Sequence, residues 1–211
     1  MRVLWVTALV LLIDQVTKTI VVQTMRLYES ISLVGDLVKF TYTTNPGIAF
    51  GLTFGPQWLT SVFALIATTV ICVYLWSVRE SLFSFRLSLA MILGGALGNI
   101  VDRVSYGLIY GYGGLFRGQV VDFIHIDLYG GGLVNLPLIG EVPFPPLFPI
   151  WNVADMAIVA GVIGYVVFHG RYLKDAQARI ESHRREMERT APIPSPLIPK
   201  PDLVSGDDQS L

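Results

Sequence analysis

The sequence predicts an all-α membrane protein with four transmembrane helices, a small β-hairpin or sheet on the outer side and an extended outer loop. Three observations carry that prediction. Of the 211 residues, 53% are hydrophobic and only 15% charged, well below the charged share of a soluble domain. Four predominantly apolar stretches each approach the about 20 helical residues needed to cross a hydrocarbon core of about 30 Å. The segments between them divide unevenly in basic residues, which assigns their sides.

The first span is expected over Val3 to Met25. Arg2 followed by the apolar run Val3 to Ile13 has the look of a secretory signal, but the run continues past Asp14 to Val22 and no small-x-small site closes it. Asp14 near the middle of a span is costly, by about 2.5–3.5 kcal/mol on insertion scales. Lys18 lies four positions later on the same helical face, in the favourable acid-before-base order. Three roles stay open for Asp14: an ion pair packed in the bundle, support for an active site, or direct catalysis.

In the first outward loop, 26–56, Val38, Phe40 and Tyr42 alternate with Lys39, Thr41 and Thr43, the period of a half-buried strand. Ile31 to Val34, joined through Gly35 and Asp36, completes a hairpin lying against the membrane surface. The second span, Gln57 to Ser77, contains Cys72, the one cysteine. It reads as a small core residue, and a single thiol excludes a disulfide framework or a Cys-based metal site.

The third span, Phe85 to Val101, is the shortest, so Arg86 at one end and Asp102 and Arg103 at the other must snorkel or sit near the interface. Gly94, Gly95, Ala96 and Gly98 offer a face for close helix packing. Asn99, Asp102 and Arg103 follow at i, i+3 and i+4, with Asp102 expected as a helix-end partner of Arg103. The second outward loop, 102–149, combines the β-branched stretch Gln119 to Ile126 with Gly113, Gly114, Gly130 to Gly132 and a run of prolines from Pro137. From Val104 onward it is expected to be non-helical, and it could form a lid over a site at the outer surface.

The fourth span is expected over Ile150 to His169. Asn152 and Asp155 project from one helical face, and Trp151 beside them fits an interfacial anchor. Residues 171–190 read as a charged helical extension of the 1–170 membrane domain, and 191–211 as a disordered tail. Arg2, Arg79, Arg86 and the tail residues Arg171, Lys174, Arg179, Arg184, Arg185 and Arg189 outnumber Arg26, Lys39, Arg103 and Arg117, so both termini are expected to be cytoplasmic.

Asp122, in the apolar run Val120 to Ile124, is poorly placed for an ionised carboxylate unless it is hydrogen-bonded or functional. If Asp122 and Asp155 approach closely, the pair shares one proton: one member can activate water while the other polarises a peptide carbonyl. Spacing alone does not bring them together. A metal site of Asp122, His125 and Asp127 is disfavoured because these positions of a strand do not converge. Neither Walker nor Gly-x-Ser-x-Gly patterns occur, and the net charge of -1 gives no argument for nucleic acid.

Five ordered blocks resemble the bacterial lipoprotein signal peptidases, also called signal peptidase II: Asp14-Gln15-Val16-Thr17-Lys18; Asn45 through Gly51; Gly94 through Arg103; Val120-Val121-Asp122-Phe123; and Trp151-Asn152-Val153-Ala154-Asp155. The resemblance spans about Val3 to His169. It implies an aspartic endopeptidase of the bacterial inner membrane, needing no metal or organic cofactor, with its site near the periplasmic face. Its substrate would be a diacylglyceryl-modified prolipoprotein, cut just before the lipidated cysteine. The catalytic dyad would be Asp122 and Asp155. Asp14, Lys18, Asn45, Gly47, Gly98, Asn99, Asp102, Arg103, Asn152 and Ala154 would orient the dyad or contact substrate and lipid. A globomycin-type cyclic peptide would occupy the same site, and a monomer is expected. Departures from the family are the long Gly- and Pro-rich insertion before Asp155, Met156 in place of a frequent serine, Trp151 for phenylalanine and Ile48 for alanine.

Two readings from other classes compete. A proton-coupled transporter or channel subunit would use Asp14 and Asp155 as relay groups, although no inverted repeat is visible. A non-catalytic assembly factor would use the small-residue faces but leave the clustered carboxylates unexplained.

Overall fold

A computed structural model describes residues 2–47, 55–127, 132–136, 140–144 and 148–190. The expected tail 191–211, Ile48, Ala49, Phe50 and Gly51 of the second motif block, and Gly130, Gly131, Pro137, Pro145 and Pro146 of the second loop lie outside the described residues. The chain divides into two units, Met1–Asp175 and Ala176–Leu211. In order the elements are α1 (Leu4–Thr24), β1 (Ser30–Val34), β2 (Val38–Asn45), α2 (Gln57–Ser77), α3 (Phe83–Val101), a π-helical turn (Asp102–Tyr106), α4 (Gly107–Ile109), β3 (Val120–Ile126), β4 (Gly132–Leu136), β5 (Gly140–Phe144) and α5 (Val153–Thr190).

Among the described residues, four helices are long and apolar enough to cross a membrane: α1, α2, α3 with its continuation to Ile109, and α5. The burial of α1 is inverted relative to a soluble bundle. On α1, Leu9, Leu12, Ile13, Val16 and Ile20 are exposed, whereas Thr7, Asp14, Lys18 and Val21 are buried. Those four recur at spacings of seven, four and three, one helical stripe, so the polar residues face protein and the apolar ones face outward, as lipid demands.

The small-residue face of α3 is what that stripe packs on. A Cβ at Gly94 would lie 2.9 Å from Val10 Cβ, and one at Gly98 would lie 2.5 Å from Asp14 Oδ2. Helices this close exchange a hydrogen bond, Thr7 Oγ1 to the Ala90 carbonyl at 2.9 Å. Gly95 performs the same service towards the Ala154 carbonyl of α5. Two apolar clusters flank the polar stretch of α1, one around Val3, Val6, Leu75, Phe85 and Leu89, the other around Val21, Met25, Tyr106, Val121 and Phe123. At the first, Arg86 turns back so that Nη1 donates to the Arg79 carbonyl at 2.7 Å.

The expected hairpin is present, but β2 is the centre of a three-stranded antiparallel sheet in the order β1-β2-β3. Its register sets Thr43 against Asp122, Thr44 against Val121 and Asn45 against Val120. Phe40 meets Phe123 edge to face at 5.8 Å. A second hairpin, β4 with β5, lies within the insertion.

Two expectations are corrected. The chain after Val104 does not leave the helix at once: a π-turn carries the axis on to Ile109. The Phe116 and Gly118 N–H groups then return to the Val104 and Arg103 carbonyls at 3.1 and 2.9 Å, satisfying groups that a helix end leaves open. Asp102 is also not the partner of Arg103, because it faces α1 while the guanidinium turns to the first loop.

Candidate active site

Asp122 sits on β3 and Asp155 in the first turn of α5, and a backbone bridge joins their elements. Trp151 N–H donates to the Ile124 carbonyl at 2.9 Å, and the Trp151 carbonyl accepts from Phe123 and Ile124 N–H at 2.9 and 2.7 Å. Trp151, expected as an interfacial anchor, is thus a strand-pairing residue. The next residue, Asn152, opens α5 through a reciprocal cap: its Oδ1 accepts from Asp155 N–H at 2.9 Å, and Asp155 Oδ2 accepts from Asn152 N–H at 3.3 Å.

The fully buried Asn152 side chain reaches the other aspartate. Nδ2 donates to Asp122 Oδ1 at 2.6 Å and lies within 3.1 Å of Asn99 Oδ1 and 3.3 Å of the Val121 carbonyl. One residue therefore binds both aspartates. Asn99 completes the circuit, with Nδ2 donating to Asp155 Oδ1 at 2.8 Å and Oδ1 accepting from Lys18 Nζ at 3.0 Å. Burial pushes the Asp122 carboxyl up to about 7, and the neighbouring Asp155 charge adds to the rise; Lys18 and Asn152 oppose it.

Behind this layer lies an ion cluster with no exposed surface at Asp14, Lys18 or Asp102. Lys18 Nζ is 2.9 Å from Asp14 Oδ2 and 2.7 Å from Asp102 Oδ2. The i,i+4 pair expected from sequence is real, but its second carboxylate comes from α3's extension. Buried charges persist only when paired and further hydrogen-bonded. Here Asp14 Oδ1 accepts from Ala154 N–H at 2.9 Å and Asp102 Oδ2 from Val121 N–H at 3.2 Å.

The first loop contributes a third side. Gly47 N–H donates to Asn45 Oδ1 at 2.9 Å, a turn that presents the Gly47 carbonyl to Arg103 Nη2 at 2.5 Å. Arg103 Nη1 is buried without a hydrogen-bond partner among the described residues. All twelve residues singled out in the sequence thus fall in one connected region. His125 and Asp127 turn to other partners, Thr41 Oγ1 at 3.1 Å and Lys39 Nζ at 3.2 Å. No cluster of three metal-ligating side chains occurs among the described residues.

Sequence reasoning missed Gln15 and Tyr106, both joined to the ion cluster. A polar residue beside Asp14 in a span was a usable signal for Gln15; nothing local marked Tyr106.

The profile of the family described as Signal peptidase (SPase) II matches residues 6–170. The chain belongs to the signal peptidase II family. Among curated members, the lipoprotein signal peptidase of Chlorobium phaeobacteroides (strain DSM 266 / SMG 266 / 2430) is 34% identical over 168 residues, covering 80% of this chain and 89% of that one. That of Chlorobaculum tepidum is 38% identical, covering 75% and 87%, and that of Amoebophilus asiaticus 35%, covering 90% and 84%. A solved bacterial membrane enzyme, determined by the in meso method at 2.3 Å, superposes with a TM-score of 0.60 at 26% identity, covering 83% of this chain and 89% of that one. Membership in signal peptidase II makes this chain a peptidase, and none of these matches supports the transporter.

Proposed function

We propose that this lipoprotein signal peptidase is an aspartic endopeptidase whose dyad is Asp122 and Asp155. It cleaves diacylglyceryl-modified prolipoproteins on the amino side of the lipidated cysteine. The observation that carries the reading is Asn152, which holds Asp122 by its side chain and Asp155 by its backbone N–H. With its carboxyl raised to about 7, Asp122 is the member that keeps a proton near neutrality. Asp155, whose oxygens accept from Asn99 Nδ2 and Asn152 N–H, is the acceptor.

Asp155 takes a proton from a water molecule as the water oxygen attacks the scissile carbonyl carbon, while Asp122 donates its proton to the carbonyl oxygen. Collapse of the tetrahedral species breaks the C–N bond: the proton held by Asp155 passes to the departing cysteine amine, and a hydroxyl of the intermediate returns its proton to Asp122 as the new carboxyl group forms. Arg103 Nη1, buried with no hydrogen-bond partner among the described residues and close enough to feel both dyad charges, is a ready donor for a substrate carbonyl or lipid ester oxygen. Asn45 and Gly47 aim that arginine, and Asn99, Asn152, Lys18, Asp14 and Asp102 orient the dyad. The close approach of Gly98 and Ala154 leaves room for it.

The surplus of basic residues on the segments 78–86 and 171–189 supports cytoplasmic termini in the bacterial inner membrane, with the dyad near the outer face. Four spans form a self-contained monomer, residues 171–190 extend it on the cytoplasmic side, and a globomycin-type cyclic peptide competes at the dyad. The test uses purified protein in lipid with a diacylated prolipoprotein, following release of the signal peptide. Asp122→Asn and Asp155→Asn should each lower the rate by about 10²–10⁴-fold without loss of fold. Parent-rate cleavage by either variant defeats the dyad assignment.

A further inference from the structure

Two carboxylates that are not in the dyad each hold the residue just before a dyad member. Asp14 Oδ1 accepts from Ala154 N–H, next to Asp155, and Asp102 Oδ2 accepts from Val121 N–H, next to Asp122. The separation of Asp14 and Asp102 is therefore transmitted through one peptide unit at each end to the separation of the dyad. Lys18 draws the two together by charge. Charge alone is a poor ruler, because an ammonium has freely rotating donors and no preferred plane.

Gln15 supplies the plane. Its Nε2 lies 3.2 Å from Asp14 Oδ2, 2.9 Å from Asp102 Oδ1 and 3.1 Å from the Gly98 carbonyl. All three are oxygens acting as acceptors, so only the NH₂ end of the amide can face them, and Oε1 must point away. Oε1 meets the Tyr106 hydroxyl at 3.1 Å, which must then donate. Tyr106 is buried in the π-turn that also carries Asp102, and its ring meets Tyr110 edge to face at 5.0 Å. The bonds close a ring: Tyr106 to Gln15, Gln15 to Asp102, and Asp102 back to Tyr106 along the chain.

We propose that Gln15 and Tyr106 are positioning residues for the peptidase reaction: Gln15 fixes the separation of Asp14 and Asp102, Tyr106 fixes Gln15, and the dyad spacing follows. This rests on the dyad reading above. Neither side chain touches substrate; both act through the ion cluster. Loss of the ruler should therefore alter how the dyad shares its proton while leaving substrate affinity intact.

The experiment measures kcat, KM and the pH profile of cleavage in proteoliposomes for the parent, Gln15→Met, Gln15→Glu and Tyr106→Phe. Gln15→Met keeps length and bulk but donates nothing; kcat should fall by about 10–100-fold with KM within about twofold. Tyr106→Phe keeps the ring packing and loses one neutral donor, for a fall of about 3–10-fold in kcat. In both, the basic limb should move by about half a pH unit or more. The groups facing Asp122 that set this limb are Asp155 on α5, Lys18 on α1, and Asp102 and Arg103 on the π-turn, and none is altered by these substitutions. Gln15→Glu should recover activity as pH falls, since a protonated carboxyl regains one O–H donor between the two carboxylates.

A parent-like kcat and pH profile in Tyr106→Phe or Gln15→Met overturns the proposal. So does a fall in kcat with an unmoved pH profile, the signature of a packing role alone. Asp122→Asn run alongside separates the two readings: cleavage at the parent rate there defeats the dyad, whatever the Gln15 variants do.

Discussion

Replacing Asp122 with Asn should stabilise the protein while lowering cleavage by about 10²–10⁴-fold, and the stabilisation should grow with pH. The side chain is 4% exposed, and burial with the nearby Asp155 charge raises its carboxyl from the ordinary 3.8 to about 7. Between those values the folded chain holds a proton that the unfolded chain has released. Stability therefore falls as pH rises from about 3.8 to about 7 and stays at the lower level above it. The full difference, about 3 pH units at about 1.36 kcal/mol each, is about 4 kcal/mol. The amide of the variant has no charge to desolvate and keeps an oxygen for the 2.6 Å bond from Asn152 Nδ2. Allowing for local relaxation, we expect a gain of about 2–4 kcal/mol at pH 8, shrinking below about 1 kcal/mol at pH 4. At about 2–4 °C per kcal/mol for a chain of this size, the variant should melt about 4–16 °C above the parent at pH 8. Thermal denaturation in detergent, followed by tryptophan fluorescence at both pH values, reads this directly. A difference that does not change between pH 4 and pH 8, or a parent more stable than the variant at pH 8, would refute the reasoning.

Two further predictions concern the supporting layers. Lys18→Met leaves the fully buried Asp14 and Asp102 without their cation and should cost about 3–5 kcal/mol, visible as a large fall in Tm or in folded yield; a Tm equal to the parent's would show that the cluster is not held by charge. Gly98→Ala would place a methyl 2.5 Å from Asp14 Oδ2 and 3.2 Å from Ala154 Cβ, costing about 1–3 kcal/mol and lowering activity, whereas Gly170→Ala on α5 meets nothing within 4 Å and should be neutral or slightly stabilising.

The sequence went furthest where a local period or a compositional threshold applied. Length and hydropathy located all four helices, with Gln57–Ser77 matching to the residue, because lipid imposes the same requirement on every spanning segment. The alternation of Val38, Phe40 and Tyr42 marked β2, whereas Asn152 and Asp155, read as one face of a helix already begun at Ile150, form instead the cap that opens α5 at Val153. The ordered motifs marked the residues that now stand in one region. What these signals could not supply was contact between distant segments. Val120 to Ile126 read as strand-like, but its pairing with β2 and with Trp151 depends on where α1 and α3 bring the two loops.

That limit explains the misjudged partners. Asp102 and Arg103 are neighbours in sequence, and the i,i+4 rule belongs to an isolated helix. The π-turn and the crossing of α1 decided instead that Asp102 meets Lys18 and Arg103 meets the Gly47 carbonyl. Tyr106 was invisible for the same reason, since its hydroxyl bonds Gln15 and its ring packs with Val21 and Met25, all on α1 or at its end. Composition and periodicity suffice to say that this is a four-span membrane protein, because the bilayer acts on each segment separately. Only the packed structure brings Asp122 and Asp155 into one hydrogen-bonded network, because that proximity comes from glycine-to-helix approaches and a single backbone bridge that no segment encodes alone.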